Sequence, residues 1–171
     1  GNVSPVTSFA TAISIDRAAP RVVTLTSGQN AGWYSALAGR NSISVFAILS
    51  KPVVAGTVAT ATLDSGASVS LSTTTAGTTL SGTYTVKAGE NAASLHLVSL
   101  ATVKGGDVAG NPVRSDVFPE EGLIKPAKAV GAQSVLTVDT TAPQLVSFTS
   151  PTPSGSYKAG SVIAIQATFS E

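Results

Sequence analysis

One short loop of the sequence carries the side chains best suited to holding a metal ion. Asp107 and Asn111 place two side-chain oxygens around a turn that contains Gly110. Ca²⁺ binds six to eight oxygens, supplied by carboxylates, amides, backbone carbonyls and water. The same residues also suit a plain turn, because Asp and Asn side chains accept hydrogen bonds from their own backbone. The loop is therefore a candidate calcium site, and a turn without metal is the alternative.

Residues that carry out covalent or acid–base catalysis are scarce. The sequence has no Cys, and its one histidine, His96, lies between two leucines in a segment with strand character. Neither a Gly-x-Ser-x-Gly elbow nor a phosphate-binding glycine loop nor a His-rich metal motif occurs. Trp33 and Tyr34 could stack against a sugar ring, but Ser156 stands at the position of Trp33 in a second copy of this part of the sequence, which favours an aromatic packed at the loop before a strand. We therefore predict that the chain is not an enzyme.

Composition argues against nucleic-acid binding and against a membrane span. Charged residues make up only 11% of the chain, with a net charge of +1. Because no Lys/Arg cluster is present to displace phosphate counterions, we expect no nucleic-acid binding. No apolar run approaches the roughly 20 residues that a membrane span needs. We therefore expect no membrane span in this sequence.

Hydrophobic residues alternate with a period of two along most of the sequence, which predicts strands rather than helices. One segment, 116–131, is rich in Pro, Gly and Glu and is predicted to be a loop insertion. Short strands separated by turn residues favour an all-β, immunoglobulin-like antiparallel β-sandwich. The predicted strands are 22–26, 42–49, 57–63, 69–73, 80–86, 94–103 and 134–138.

One stretch of the sequence occurs twice. Residues 15–23 read IDRAAPRVV and residues 138–146 read VDTTAPQLV, and the likeness resumes between 43–51 and 163–171. A repeat at a long, fixed spacing predicts tandem repeats. We expect 1–15 to be the final strand of a truncated repeat and 16–138 to be a complete repeat. Residues 139–171 would then be the first two strands of a following, truncated repeat.

The motifs and their order along the chain resemble those of one protein family. Asp-x-x-Ala-Pro opens both copies, an alternating strand ends in Phe-Ser-Glu, and Gly-Thr-Tyr-Thr-Val and Leu-x-Leu-Val-Ser-Leu precede Asp-Val-Ala-Gly-Asn. These motifs are similar to the immunoglobulin-like repeats of very large bacterial surface adhesins, over nearly the whole chain. The resemblance implies a stalk or adhesive repeat at a bacterial cell surface or in a secreted protein. It also implies neighbouring repeats as partners and calcium at the junctions between them.

The repeat places further acidic residues at those junctions. Asp16 and Asp139 lie at the starts of the two copies, and Glu171 ends the second alternating strand. Lys51 stands where the second copy has Glu171, and an ammonium group cannot ligate a cation. Arg17 stands where the second copy has Thr140. Its positive charge likewise argues against a cation at the start of the first copy. The candidate calcium ligands are Asp107, Asn111, Asp139, Asp16 and Glu171.

The sequence favours a structural spacer whose junctions calcium could stiffen. One alternative is an adhesion module that uses Trp33 or the 116–131 segment to bind a host or cell-surface glycan or protein. Another is an accessory immunoglobulin-like domain of a secreted enzyme. An extracellular location, on a bacterial surface or secreted, is expected under all three readings.

Overall fold

A computed structural model describes residues 13–114 and 118–171 of the chain. The described residues form an all-β structure, as the alternation predicted, with a single 3-10 helix, Pro119–Gly122. The strands are β1 (Val22–Thr26), β2 (Gly32–Tyr34), β3 (Ser42–Val53), β4 (Val58–Leu63), β5 (Ser68–Ser72), β6 (Gly77–Thr85), β7 (Leu97–Lys104), β8 (Leu136–Val138), β9 (Leu145–Thr149) and β10 (Gln166–Phe169). Each of the seven predicted strands has its counterpart in this list, and β2 was not predicted.

Strands β1 to β8 form one unit, which we call the β1–β8 unit. Six of them make a curled antiparallel sheet in the order β1-β3-β6-β5-β4-β7. The remaining two, β2 and β8, pair in parallel with each other. Val138 of β8 exchanges backbone hydrogen bonds with Ala92, and the Leu95 N–H donates to the Leu136 carbonyl. These bonds bring the segment before β7 alongside β8.

The core follows from the alternation of side chains along each strand. In β3, the residues Ile43, Val45, Ala47 and Leu49 are buried and the residues between them are less so. Successive side chains of a strand point to opposite faces, so a period of two buries one face and leaves the other toward solvent. Leu80, Leu100 and Leu136, from three further strands, join the same buried cluster.

The segment predicted to be a loop insertion, 116–131, contributes to that core. Ile124 is fully buried, and its N–H donates to the Leu95 carbonyl at 3.0 Å. The next residue, Lys125, bonds with β1 through the Ser27 N–H and the Leu25 carbonyl. Part of the segment is thus held against the edge of the sheet. Two of its residues, 116 and 117, lie outside the described part of the chain.

The hairpin β9–β10 has the same pairing as β1 with β3. Leu145 pairs with Phe169 as Val22 pairs with Leu49, and in both cases the register shifts within the next two residues. After the shift, Phe148 pairs with Ala167 as Leu25 pairs with Ala47.

Polar contacts around the hairpin are duplicated as well. The Ser170 hydroxyl accepts a hydrogen bond from the Gln144 N–H at 3.0 Å, as Ser50 does from the Arg21 N–H at 3.1 Å. The Tyr34 hydroxyl donates to the carbonyl four residues earlier, and so does the Tyr157 hydroxyl. The two copies in the sequence therefore adopt the same local structure.

The two copies differ in what covers their apolar residues. Phe148 is 67% exposed, whereas its counterpart Leu25 in β1 is 1% exposed. Ile163 is likewise half exposed while its counterpart Ile43 is fully buried. Residues 1–15 were predicted to be the final strand of a preceding repeat. Residues 1–12 lie outside the described part of the chain, and residues 13–15 are described but do not belong to a strand.

Two glycines of β6 provide a test of the packing between neighbouring strands. A Cβ at Gly82 would overlap the Ser70 carbonyl and lie 3.0 Å from a Leu71 methyl, whereas a Cβ at Gly77 would meet nothing within 4 Å. We expect Gly82→Ala to lower the free energy of unfolding by about 1–3 kcal/mol, the usual cost of overpacking. Gly77→Ala is the matched control and should be neutral or slightly stabilising, by about 0.5 kcal/mol. Equal losses in urea unfolding would contradict the described packing of β5 on β6.

Candidate functional site

Three of the predicted ligands meet around Lys51, at the end of β3. The Lys51 ammonium lies 2.8 Å from Oδ2 of Asp107 and 2.8 Å from the carbonyl oxygen of Ala18. It also donates a hydrogen bond to Oδ2 of Asp16. An ammonium has three N–H donors, and these three oxygens match them. We call Asp16, Ala18, Lys51, Asp107 and Asn111 the lysine cluster.

Asp107 is the buried centre of the lysine cluster, with a side chain only 2% exposed. Its Oδ1 accepts the N–H groups of Ala109 at 3.0 Å and Asn111 at 2.9 Å. The Asn111 amide nitrogen adds a bond to Oδ2 at 2.9 Å. The Asp107 side chain thus forms the turn that the sequence analysis gave as the alternative to a metal site. The turn ends at Gly110, which has a φ of 85°, a conformation suited to glycine.

Three separate segments hold the lysine cluster together. Asp16 and Ala18 belong to the segment before β1, Lys51 lies near the end of β3, and Asp107 and Asn111 lie in the loop after β7. The Asn111 amide also donates to the Asp16 carbonyl at 3.2 Å. Beneath the loop, the buried Thr57 hydroxyl donates to the Val54 carbonyl at 2.7 Å and accepts the Gly106 N–H at 3.2 Å. The cluster therefore ties the segment before β1 to the rest of the unit.

The charges in the lysine cluster stabilise one another. The hydrogen bond from Lys51, followed by those from Asn111, holds the pKa of Asp107 far below its usual range. The hydrogen bond from Lys51 lowers the pKa of Asp16 also, with help from the Ala18 N–H. Asp107 and then Asp16 raise the pKa of Lys51 in return. All three groups are therefore ionised at neutral pH.

Asp139 and Glu171 lie apart from the lysine cluster. Oδ1 of Asp139 accepts the Thr141 N–H at 2.9 Å, which reproduces the 2.9 Å bond from the Ala18 N–H to Asp16. Glu171 is exposed and directly follows Ser170, just as Lys51 follows Ser50. The second copy thus has acidic residues at the positions of both Asp16 and Lys51. Calcium at Asp139 and Glu171 stays a prediction.

The residues of the lysine cluster do not fit a calcium ion. The Lys51 ammonium occupies the point at which the oxygens of Asp16, Asp107 and Ala18 converge. A calcium ion there would lie against a positive charge and could not use the oxygens that the ammonium already contacts. In residues 13–114 and 118–171, no group of three or more His, Cys, Asp or Glu side chains is placed to hold a metal.

The chain enters and leaves the β1–β8 unit at opposite ends of β3. The segment before β1 contacts Lys51, near the C-terminal end of that strand. After β8, the Asp139 N–H donates to the Tyr34 carbonyl, and Thr140 bonds with Gly89 and Asn91. The loop that holds Gly89 and Asn91 follows β6, whose end pairs with Ser42 at the start of β3. Because a strand rises about 3.3 Å per residue, the two ends are about 30 Å apart.

The surroundings of His96 and Trp33 bear on the roles that the sequence suggested for them. His96 lies just before β7, not in a strand, is half-buried and forms an isolated bridge with Leu123. Its Nδ1 lies 3.4 Å from Oδ2 of Asp64. Trp33 is 54% exposed and lines an open groove of about 520 Å³ with Asn91, Gln133 and Thr141. The sequence analysis did not predict the role of Lys51, although its alignment with Glu171 marked the position as exceptional.

Comparison of the chain with protein-family models, with curated proteins and with solved structures gave no match. In the part of the chain that the structure describes, no helix is long and apolar enough to cross a membrane.

The lysine cluster predicts an acid-sensitive contribution to stability. Asp107 has a lower pKa in the folded state than in the unfolded chain, where it titrates near 4, so its contribution is complete above about pH 4 and is lost below it. We expect Lys51→Gln to lower the melting temperature at pH 7. The difference from the unmodified protein should shrink as the pH falls below about 4, because Asp107 takes up a proton in the folded variant, which lacks the ammonium, at a higher pH than in the folded unmodified protein.

The control for this experiment is Lys125→Gln. Lys125 lies 2.6 Å from Oε1 of Glu120, and both side chains are about half exposed. Exposed pairs contribute less than about 1 kcal/mol, so this variant should behave like the unmodified protein. Parallel pH profiles for the Lys51→Gln variant and the unmodified protein would show that Lys51 does not act through Asp107.

Proposed function

We propose that the chain is a spacer repeat of a large bacterial surface or secreted adhesin, and that it has no enzymatic activity of its own. The observation that carries the proposal is the entry and exit of the chain at opposite ends of the β1–β8 unit. Units with this geometry, joined end to end, form an extended string rather than a compact cluster. Such a string would hold an adhesive part of the protein away from the cell surface.

Strand order supports an immunoglobulin-like sandwich. In that fold, strands A, B, E and D form one sheet and C, F and G the other. If β1, β3, β4, β5, β6, β7 and β8 are taken as A to G, the observed order β1-β3-β6-β5 follows A-B-E-D, and β4 next to β7 follows C-F. Two features differ, because β5 also pairs with β4 and β8 pairs with β2.

The duplicated local structure supports a tandem arrangement. The hairpin β9–β10 reproduces the pairing, the register shift and the side-chain hydrogen bonds of β1 and β3. Its apolar residues are exposed where their counterparts in the β1–β8 unit are buried. We infer that further strands of a second unit cover them in the longer protein. The acidic pair Asp139 and Glu171 is the position at which calcium would stiffen the junction between the two units.

The exposed Trp33 favours a second candidate, a glycan-binding adhesion module. Trp33, Asn91 and Gln133 line one open groove, and sugars bind proteins through aromatic stacking combined with amide hydrogen bonds. The second copy has Ser156 near the position of Trp33, so binding would be specific to this repeat. Binding on a glycan array that Trp33→Ala abolishes would favour this candidate.

The spacer role predicts a mechanical response that depends on the direction of force. Force applied between Ser14→Cys and Thr141→Cys pulls the ends of the unit apart along its strands. The parallel strands β2 and β8 are then sheared, so that their hydrogen bonds must break together. We expect this unfolding force, measured with optical tweezers, to exceed the force needed in a direction that opens a hairpin.

Ala55→Cys and Thr74→Cys provide that second direction. Both positions are exposed and flank the open end of the β4–β5 hairpin. Force between them opens the hairpin one hydrogen bond at a time. The chain has no natural Cys, so each pair of handles is specific. A unit that unfolds as easily along its length as across this hairpin would argue against a load-bearing spacer.

A further inference from the structure

The two copies of the repeated sequence differ in charge at one corresponding position. Leu49 pairs with Val22 in the first copy, and Phe169 pairs with the corresponding residue, Leu145, in the second. Two residues later, the first copy has Lys51 and the second has Glu171. The serine before each makes the same pair of hydrogen bonds, to Arg21 in the first copy and Gln144 in the second. The backbone therefore carries both side chains to the same place.

The surroundings of Lys51 require a positive charge. Asp107 is ionised and its side chain is 2% exposed, and a buried charge is costly unless it is paired. Asp16 and the Ala18 carbonyl add two further oxygens around the same point. An acid at position 51 would add a third carboxylate beside Asp16 and Asp107 and remove the ammonium that contacts both. The other cations that line the same groove as Lys51 are Arg17, Arg21 and Arg114. Repulsion among the three carboxylates would raise their pKa values or turn the new side chain toward solvent, and a cation bound between them would relieve it.

We infer that Lys51 is a built-in cation that makes the junction before β1 independent of calcium. This inference rests on the proposed function, since it concerns the junction of one repeat with the preceding one. The Lys51 ammonium replaces a divalent ion by contacting the segment before β1 and the loop after β7 at once. The second copy has Asp139 and Glu171 at the positions of Asp16 and Lys51, so it has no such built-in cation.

Substitution of Lys51 tests this inference directly. In the unmodified protein, the amide resonances of Ala109 and Asn111, whose N–H groups donate to Asp107, should be the same in millimolar calcium and in chelator. Lys51→Glu should melt several degrees lower in chelator. Calcium should reverse the loss and shift both amide resonances, because binding to the native state stabilises it. The affinity should lie in the millimolar range of extracellular modules.

Two control variants separate charge from packing. Lys51→Arg keeps a cation and should remain insensitive to calcium. Lys51→Gln leaves the two carboxylates of Asp16 and Asp107 without the ammonium, so it should lose stability in chelator and recover less of it in calcium than Lys51→Glu does. Glu171→Gln is included in every protein, so that the second junction contributes nothing to the calcium response. A Lys51→Glu protein that stays unfolded in calcium, or folds but ignores calcium, would overturn the inference. Calcium-dependent shifts of Ala109 and Asn111 with Lys51 in place would overturn it also.

These outcomes are distinct from a failure of the proposed function. A unit that resists force along its length while its Lys51→Glu variant ignores calcium is a spacer without a built-in cation. A unit that yields easily to force while its Lys51→Glu variant responds to calcium has the lysine cluster but does not bear load.

Discussion

The buried carboxylate of Asp107 is the constraint on which the entry end of the structure depends. Its two oxygens are satisfied by the backbone of its own loop, by Asn111 and by Lys51. Removing one partner of a buried ion pair leaves an uncompensated charge, and this penalty is larger than the net contribution of the pair. The Lys51 side chain is therefore confined, and with it Asp16 and the segment that leads into β1.

This confinement connects local chemistry to the shape of a longer molecule. A free linker between two domains allows many relative orientations, whereas a linker fixed at several points allows few. In the β1–β8 unit, the entering segment is fixed by side chains of β3 and of the loop after β7. The leaving segment is fixed by Tyr34 and Asn91 at the far end. A string of such units would extend because both ends of each unit are attached to its strands.

Most of the strands could be predicted because their side chains alternate, and alternation reports directly on which face is buried. The all-β class followed from the same pattern, and the likeness of the β9–β10 pairing to that of β1 with β3 followed from the repeat. Strand β2 was not predicted because three residues around Trp33 are too few to show alternation. The segment around Ile124 was assigned to a loop because its neighbours Pro119, Gly122 and Pro126 obscured one short apolar stretch that the structure buries.

Asp16, Asp107 and Asn111 of the candidate site were predicted from the sequence, but the role of Lys51 was not. Asp and Asn in a Gly-containing loop suggest both a metal site and a turn, and the choice depends on what else approaches. Lys51 is more than fifty residues from Asp107 in the sequence. The pairing of β4 with β7 and the hydrogen bond from the Val54 N–H to the Gly106 carbonyl bring the loop of Asp107 to the end of β3. A long-range contact of this kind has no local signature. The mismatch between Lys51 and Glu171 was the one signal, and it showed that the two copies differ in charge at this position.

Distance measurements between spin labels test the central claim most directly, because they report how firmly the entering segment is held. Labels at Ser14→Cys, in that segment, and at Ser68→Cys, an exposed position of β5, would be compared with Lys51 intact and in Lys51→Gln. The account predicts a narrow distance distribution with Lys51 intact, unchanged by calcium or chelator, and a broad one in the variant. A broad distribution with Lys51 intact, or one that narrows only in calcium, would contradict it.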